Sequence, residues 1–339
     1  MNYFIVASKD ASIYKIQPTQ NTGLDEVLEV SKTYVGGVLD ISHGLLKFDL
    51  SELSSSIVTG NITASAATLV LKECYASYLP TEFTLYAYPV SQSWDMGIGT
   101  KFDEISTAGV TWENRTTSTT WLDTGGDFVS TPVSSEVYTY LSSDVSMDVL
   151  EVVNSWLSGS IPNEGFVLKY SDIAETDEID YGTLQFFSKE TNTIYQPKII
   201  IGWDDSTFAT GSLPELVSND INITFKRLKT KYKIGNIDTI RVVGREKYPL
   251  KTYTNQYGYD DVQYLPETTY YQIKDASTHE VVIPFSEHSK VSCDEIGNFF
   301  KLNFTNWEIN REYYIEIKVE RSGNIEHFSD NDLTFTVEK

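Results

Sequence analysis

Alternation of apolar and polar residues with a period of two runs through most of this chain, and it narrows the fold class more than any other feature. It is clear in ATLVLKECY (67–75), FTLYAYPV (83–90), GFVLKYS (165–171), TLQFFSK (183–189) and PKIIIGW (197–203). Such a pattern sends one set of side chains into a core and the other toward solvent, as a half-buried strand requires. Turn residues interrupt it every ten residues or so, and Tyr, Thr, Val, Ile and Phe dominate between them, which is the all-β signature. One segment has the other period. In DVLEVVNSWLSG, Val149, Val152, Val153, Trp156 and Leu157 share one face at helical spacing. Ser146 or Asp144 is the expected cap, with Gly159 at the end.

At 339 residues the chain is long enough for two domains, each able to bury a core without disulfides or metals. The polar, acidic stretch GWDDSTFATGSLPELVSND (202–220) reads as the boundary, giving domains at 1–205 and 206–339. Beyond it strands resume in pairs. Three hairpins are expected, with turns at Asp275–Thr278, Asp294–Asn298 and Arg321–Asn324. Paired hairpins over a segment of this length point to an immunoglobulin-like sandwich.

Cys74 and Cys293 read as free, buried thiols, and the four scattered histidines have no metal-ligand spacing. No nucleotide-binding or hydrolase motif is present. With 48 acidic and 26 basic residues the net charge is −22, which argues against nucleic acid as a partner. The surplus is uneven: −16 falls on residues 1–203 and −6 on 204–339. Within the second part lies a basic run, Lys226, Arg227, Lys229, Lys231 and Lys233. It reads either as a docking surface or as the lysine guard of an edge strand. No apolar run reaches the length of a membrane span. The stretch Tyr3–Ala7 has no basic region before it and is too short for a signal peptide.

Six short motifs stand in order along the first part: KDASIYKIQPTQNTGLDEVLEVSK, GLLKFDLSEL, the strand pair ATLVLKECY and FTLYAYPVSQSW, GVTWENRTT, SMDVLEVVNSWLSGSIPNEGFVLK, and LQFFSKETNTIYQPKIIIGW. Together, residues 9 to about 203 resemble the DNRLRE (disaggregatase-related) family, a β-sandwich also grouped with carbohydrate-binding modules. The resemblance implies a jelly-roll sandwich and carbohydrate recognition. The sequence departs from the family pattern at Leu150, where Thr is usual, and at residues 34–42, read as a longer variable loop. In GLLKFDLSEL, Phe48 and Leu50 should point inward while Asp49 points out or caps a turn at Ser51. The second part resembles domains of tailed-phage virion proteins, through its Tyr- and Phe-rich strand pairs.

A sugar site on a sandwich uses exposed aromatics that stack on the ring. Trp94, Trp121 and Tyr138, in or near polar loops, are the candidates, whereas Trp112 reads as a loop anchor. The acidic run SDIAETDEIDYG (171–182) reads as a solvated loop, with a structural calcium ion as the second reading and a catalytic carboxylate pair as the third. No catalytic residue, metal ligand or other cofactor is expected. The expectation is therefore an N-terminal jelly-roll sandwich with one short helix, followed by an immunoglobulin-like sandwich. It would act as a non-enzymatic phage virion protein of the neck, tail or head decoration, assembled without a signal peptide. Its partners would be other virion proteins, in an oligomeric assembly. The alternative is a carbohydrate-binding module or a receptor for host-cell glycans.

Overall fold

The structure is a computed structural model and describes residues 1–53, 63–139, 141–142, 144–218, 220–249, 262–321 and 323–339. It is all-β, built as sandwiches of antiparallel strands apart from one parallel pairing of Lys231–Lys233 with residues 336–338. Contacts divide it into two units: Phe4–Ile201, and Gly202–Lys339 joined by Met1–Tyr3.

The first unit holds β1 (Asn2–Tyr14), β2 (Val27–Val35), β3 (Val38–Phe48), β4 (Ala66–Ser77), β5 (Glu82–Pro89), β6 (Asn114–Thr116), β7 (Thr119–Thr120), β8 (Ser134–Thr139), β9 (Asp144–Asp148), β10 (Phe166–Lys169), β11 (Gly182–Phe187) and β12 (Lys198–Gly202). Two helices are described from end to end, α1 (Leu150–Leu157) and α2 (Asp172–Thr176), and residues 51–53 are helical as well. The strands pair in the order β1-β12-β4-β11-β2-β3-β10-β5-β8, and β1 also pairs with β3. Two strands serve both layers. β2 pairs with β11 over Val27–Lys32 and with β3 over Ser31–Val35. β1 neighbours β12, then passes a bulge between Ala7 and Lys9 and follows β3. A bulge bends and twists a strand, which lets one strand leave one layer for the other.

Residues 34–42, read from the sequence as a long loop, instead continue both strands. β2 and β3 pair as far as Val35 and Val38 and turn at Gly36 and Gly37, both at positive φ. Glycine adopts that conformation without steric cost. Phe48 and Leu50 are buried, and Asp49 is exposed with its carboxylate accepting from the Ser51 amide at 3.0 Å, as expected.

The interior lies between the layers. Leu28 reaches across to Gly44, and Phe166 meets Phe48 on one side and Trp156 on the other, with ring centroids 6.4 and 4.6 Å apart. Helix α1 buries Val152, Val153 and Trp156, and ends at Gly159 with φ +74°. Its expected caps are corrected: Asp144 and Ser146 lie in β9, and Asp148 accepts the Leu150 amide at 2.9 Å instead. Alternation holds in β5 and in β4 as far as Leu71, but all four residues of β10 are buried. A strand buried on both faces has something on its outer face too.

The second unit holds β13 (Ile221–Lys226), β14 (Lys231–Lys233), β15 (Ile237–Glu246), β16 (Thr269–Asp275), β17 (Val281–Ile283), β18 (Ser292–Asp294), β19 (Gly297–Asn303), β20 (Glu312–Arg321) and β21 (Asn324–Glu338). They form two sheets, β13-β15-β19-β18 and β14-β21-β20-β16-β17. Between them Tyr271 stacks on Phe300 at 4.1 Å, among Ile240, Val242, Ile273 and Ile317. The three expected hairpins are present: β16 pairs with β17, Asp294 with Gly297, and Arg321 with Asn324. Ser322, in the last turn, lies outside the described residues. Residues 207–209 run along β18, exchanging amide hydrogen bonds with Cys293 at 2.8 and 2.9 Å. Cys293 is buried, but Cys74 is exposed, contrary to expectation, because its stretch of β4 lies toward solvent.

Candidate functional site

The outer face of β1, β3 and β10 is covered by the irregular chain between β5 and β8. Ala11, Ile13, Ile41, Leu45 and Val167 point outward from the strands. Trp94, Val110, Trp112 and Trp121 pack down on them to make a second core. The sequence-expected sugar platforms are therefore corrected. Trp94 is 1 % exposed and donates its indole N–H to the Glu164 carbonyl at 2.9 Å. Trp121 is 4 % exposed and donates to the Thr111 carbonyl at 3.0 Å. Tyr138 is 1 % exposed, stacks on Phe83 at 5.2 Å and hydrogen-bonds Glu73. A sugar ring needs an open aromatic face, and none of the three offers one. Trp112 is buried against His43, with ring centroids 4.8 Å apart, and anchors its loop as expected.

The acidic run 171–182 is not a free solvated loop. Ser171 caps α2, its side chain accepting from the Ala174 amide at 3.1 Å. Two carboxylates then turn inward. Glu175 meets His43 Nε2 at 2.9 Å and Lys169 Nζ at 3.2 Å. The other ring nitrogen of His43 lies 2.7 Å from the Gly125 carbonyl, so both face acceptors. Asp177 meets the fully buried Lys32 at 2.5 Å, and Lys32 also donates to the carbonyls of Ala174 and Asp177. Burial alone would push Glu175 up. The charges of His43 and Lys169 and their hydrogen bonds outweigh it and hold the carboxyl below the ordinary glutamate value. Partial desolvation of Asp177 is likewise outweighed by the Lys32 hydrogen bond, so it too is lowered. These carboxylates neutralise buried cations, which leaves them poorly placed as a calcium cage or a catalytic pair. Among the described residues no group of three or more His, Cys, Asp or Glu side chains converges on a point where a metal ion would sit.

The cover stops short of β5 and β8. Register places Tyr88 beside Val167, Tyr86 between Lys169 and Ser135, and Thr84 beside Val137, and directly paired residues share a face. Tyr86 and Tyr88 stack at 5.7 Å, and Tyr88 meets Phe128 at 4.6 Å. Lys169 Nζ stands 4.7 Å from the Phe128 ring centroid and bonds the exposed Asp172 at 2.7 Å. Burial, then the nearby Asp172 charge, raises the Tyr88 phenol. A half-buried aromatic row, with the exposed Asp172 carboxylate at its rim and the buried Lys169 against Phe128, is what remains open on this face. Strict alternation in FTLYAYPV was its only trace in the sequence.

In the second unit the basic run joins two sheet edges. Lys226 ends β13, the edge of one sheet; Lys231 and Lys233 flank the buried Tyr232 on β14, the edge of the other. Lys226, Arg227, Lys229, Lys231 and Lys233 are all exposed. Lys229 pairs with Asp238 at 2.5 Å and Lys231 with Glu338. Among the described residues Lys226, Arg227 and Lys233 have no carboxylate within ion-pair distance. Lysines here block unwanted strand addition to the edges and leave a compact cationic strip.

Fold and sites together define an all-β protein of two sandwich units, one carrying an aromatic half-face and the other a cationic edge. Neither a scan against protein-family models nor a search of curated proteins finds a match. Among the described residues no helix is long and apolar enough to cross a membrane.

Proposed function

We propose that this chain is a non-enzymatic structural protein of a tailed-phage virion, a neck, tail or head-decoration component held by protein–protein contacts. The observation that carries the reading is the cationic strip Lys226–Lys233 across two sheet edges, in a chain whose overall charge is −22. Such a strip suits docking against an acidic partner surface, since charge complementarity steers and orients association. Supporting it, the carboxylates nearest to a catalytic reading, Glu175 and Asp177, are tied to His43, Lys169 and Lys32. The resemblance of the two parts to a DNRLRE-like module and to virion domains supplies the setting, with the protein located in the particle. The test is a triple reversal, Lys226→Glu, Arg227→Glu and Lys233→Glu, supplied in trans during infection. It should deplete the chain from purified particles, and undiminished incorporation would refute docking through this edge.

A second reading is favoured by the Tyr86–Tyr88–Phe128 row: a module that binds cell-surface glycan through that half-face. Aromatic faces with polar groups at the rim match the way sugar rings are held. On a glycan array, binding by the full-length protein that is lost in Tyr88→Ala would support it.

A further inference from the structure

The loop of residues 97–107 in the first unit displays three large apolar side chains: Ile98 at 71 %, Phe102 at 92 % and Ile105 at 74 % exposure. Large exposed apolar groups concentrated on one short segment mark interaction sites. The loop that carries them is fixed at its base. Asn21 is buried; its side-chain amide donates to the Met96 and Val110 carbonyls at 2.8 and 2.7 Å, and its oxygen accepts from the Gly99 amide at 2.8 Å. Asp25 accepts the Lys101 amide at 3.0 and 3.1 Å, and Lys101 Nζ turns inward to Glu29 at 3.0 Å and over the Tyr14 ring at 4.2 Å. The loop's one cation is thus spent inside, and what faces outward is Phe102 and Ile105 with the exposed carboxylates Asp103 and Glu104. A fixed loop loses little conformational entropy on binding, so apolar groups held out on it are pre-organised for a partner.

The complementary surface is present on the same chain. The cationic strip has Lys226, Arg227 and Lys233 pointing to solvent, and beside it Ile237 is 59 % exposed. We propose that the 97–107 loop of one copy docks on the cationic edge of a second copy, with Asp103 and Glu104 against Arg227 and Lys226 and Phe102 against the apolar surface at Ile237. Such a contact is heterologous: each molecule keeps one free loop and one free edge, so association continues into a ring or a filament instead of stopping at a dimer. The inference rests on the reading of this edge as a docking edge and names its partner.

The test is light scattering on purified full-length protein. Mean molar mass should rise by about twofold or more between about 2 and 200 µM protein, as a micromolar contact requires. It should fall back in about 0.5 M salt, where charges are screened beyond a few ångströms. Phe102→Asp alone and the Lys226→Glu/Arg227→Glu/Lys233→Glu variant alone should each stay monomeric. Mixed, they should form a 1:1 dimer and nothing larger, since one supplies an intact edge and the other an intact loop. All the substituted residues are exposed; circular dichroism checks that each variant folds, and Ile105→Asp substitutes for Phe102→Asp if it does not. A monomer at every concentration, or a mixture that fails to dimerise, overturns the self-association. If the edge variant is nonetheless lost from particles, the docking edge stands and takes another protein. If it is incorporated normally, the docking edge itself falls.

Discussion

Asp10 should make the first unit lose stability as pH rises toward neutrality. It sits on β1 at 1 % exposure, and one carboxyl oxygen accepts the Lys189 amide at 2.5 Å. Burial pushes its pKa from 3.8 up to about 7, against that hydrogen bond and the Lys189 charge. The folded state therefore holds a proton that the unfolded chain releases near pH 4. Between those limits the native state binds more protons, and linkage then requires stability to fall as pH rises, by about 1.4 kcal/mol per pH unit. Over the interval this comes to roughly 4 kcal/mol, fully lost above pH 7 and absent as a penalty below pH 4. Asn cannot titrate and keeps an oxygen to accept the Lys189 amide. Urea unfolding of wild type and Asp10→Asn, followed by tryptophan fluorescence from pH 4 to 8, isolates the effect as a difference. Four of the six tryptophans, at 94, 112, 121 and 156, report on this unit. Asp10→Asn should gain on wild type as pH rises and level off above 7. A difference independent of pH, or one that moves the other way, would show Asp10 ionised in the fold and refute the argument.

The Glu175 network has the opposite sign. Its depressed pKa adds stability that is fully present above the ordinary glutamate range and lost as pH falls through the folded value, and Glu175→Gln should remove it. Because it takes the carboxylate from His43 and leaves the buried Lys169 only the exposed Asp172, that variant should cost about 3 kcal/mol near pH 7 in urea unfolding. Trp121→Ala should lower stability by about 3–5 kcal/mol, measured the same way, as loss of a core side chain. At Gly125, with φ +93°, an added Cβ would come within 2.9 Å of the Trp112 ring, so Gly125→Ala should cost about 1–3 kcal/mol by thermal melting.

Strands were legible where one face is buried and the other is wet: the alternation in ATLVL and FTLYAYPV reappears in the burial of β4 up to Leu71 and of β5. Hairpins were legible because Asp275 and Asp294 accept the amides of their own turns. The second core was not. Residues 91–133 have no periodicity, so their folding back over β3 and β10 leaves no pattern, although three tryptophans at 94, 112 and 121 in a turn-rich stretch were a compositional clue. The acidic run was misread for a different reason. Lys169 is local, but the other partners stand far away in sequence, 145 positions for Lys32 and Asp177 and 132 for His43 and Glu175, and no local pattern announces such pairs. The tie of Met1–Tyr3 to the second unit had no sequence signal either; there the Met1 ammonium donates to the Trp203 and His288 carbonyls and pairs with Asp205.

The proposed assembly role requires that this chain be built into a particle. Quantitative mass spectrometry of virions purified through a density gradient, compared with the soluble fraction of the same lysate, measures that directly. A virion component should appear in the particle band at a fixed ratio to the other virion proteins. Finding it only in the soluble fraction would contradict the assembly role and leave the aromatic half-face of the first unit as the place to look for function.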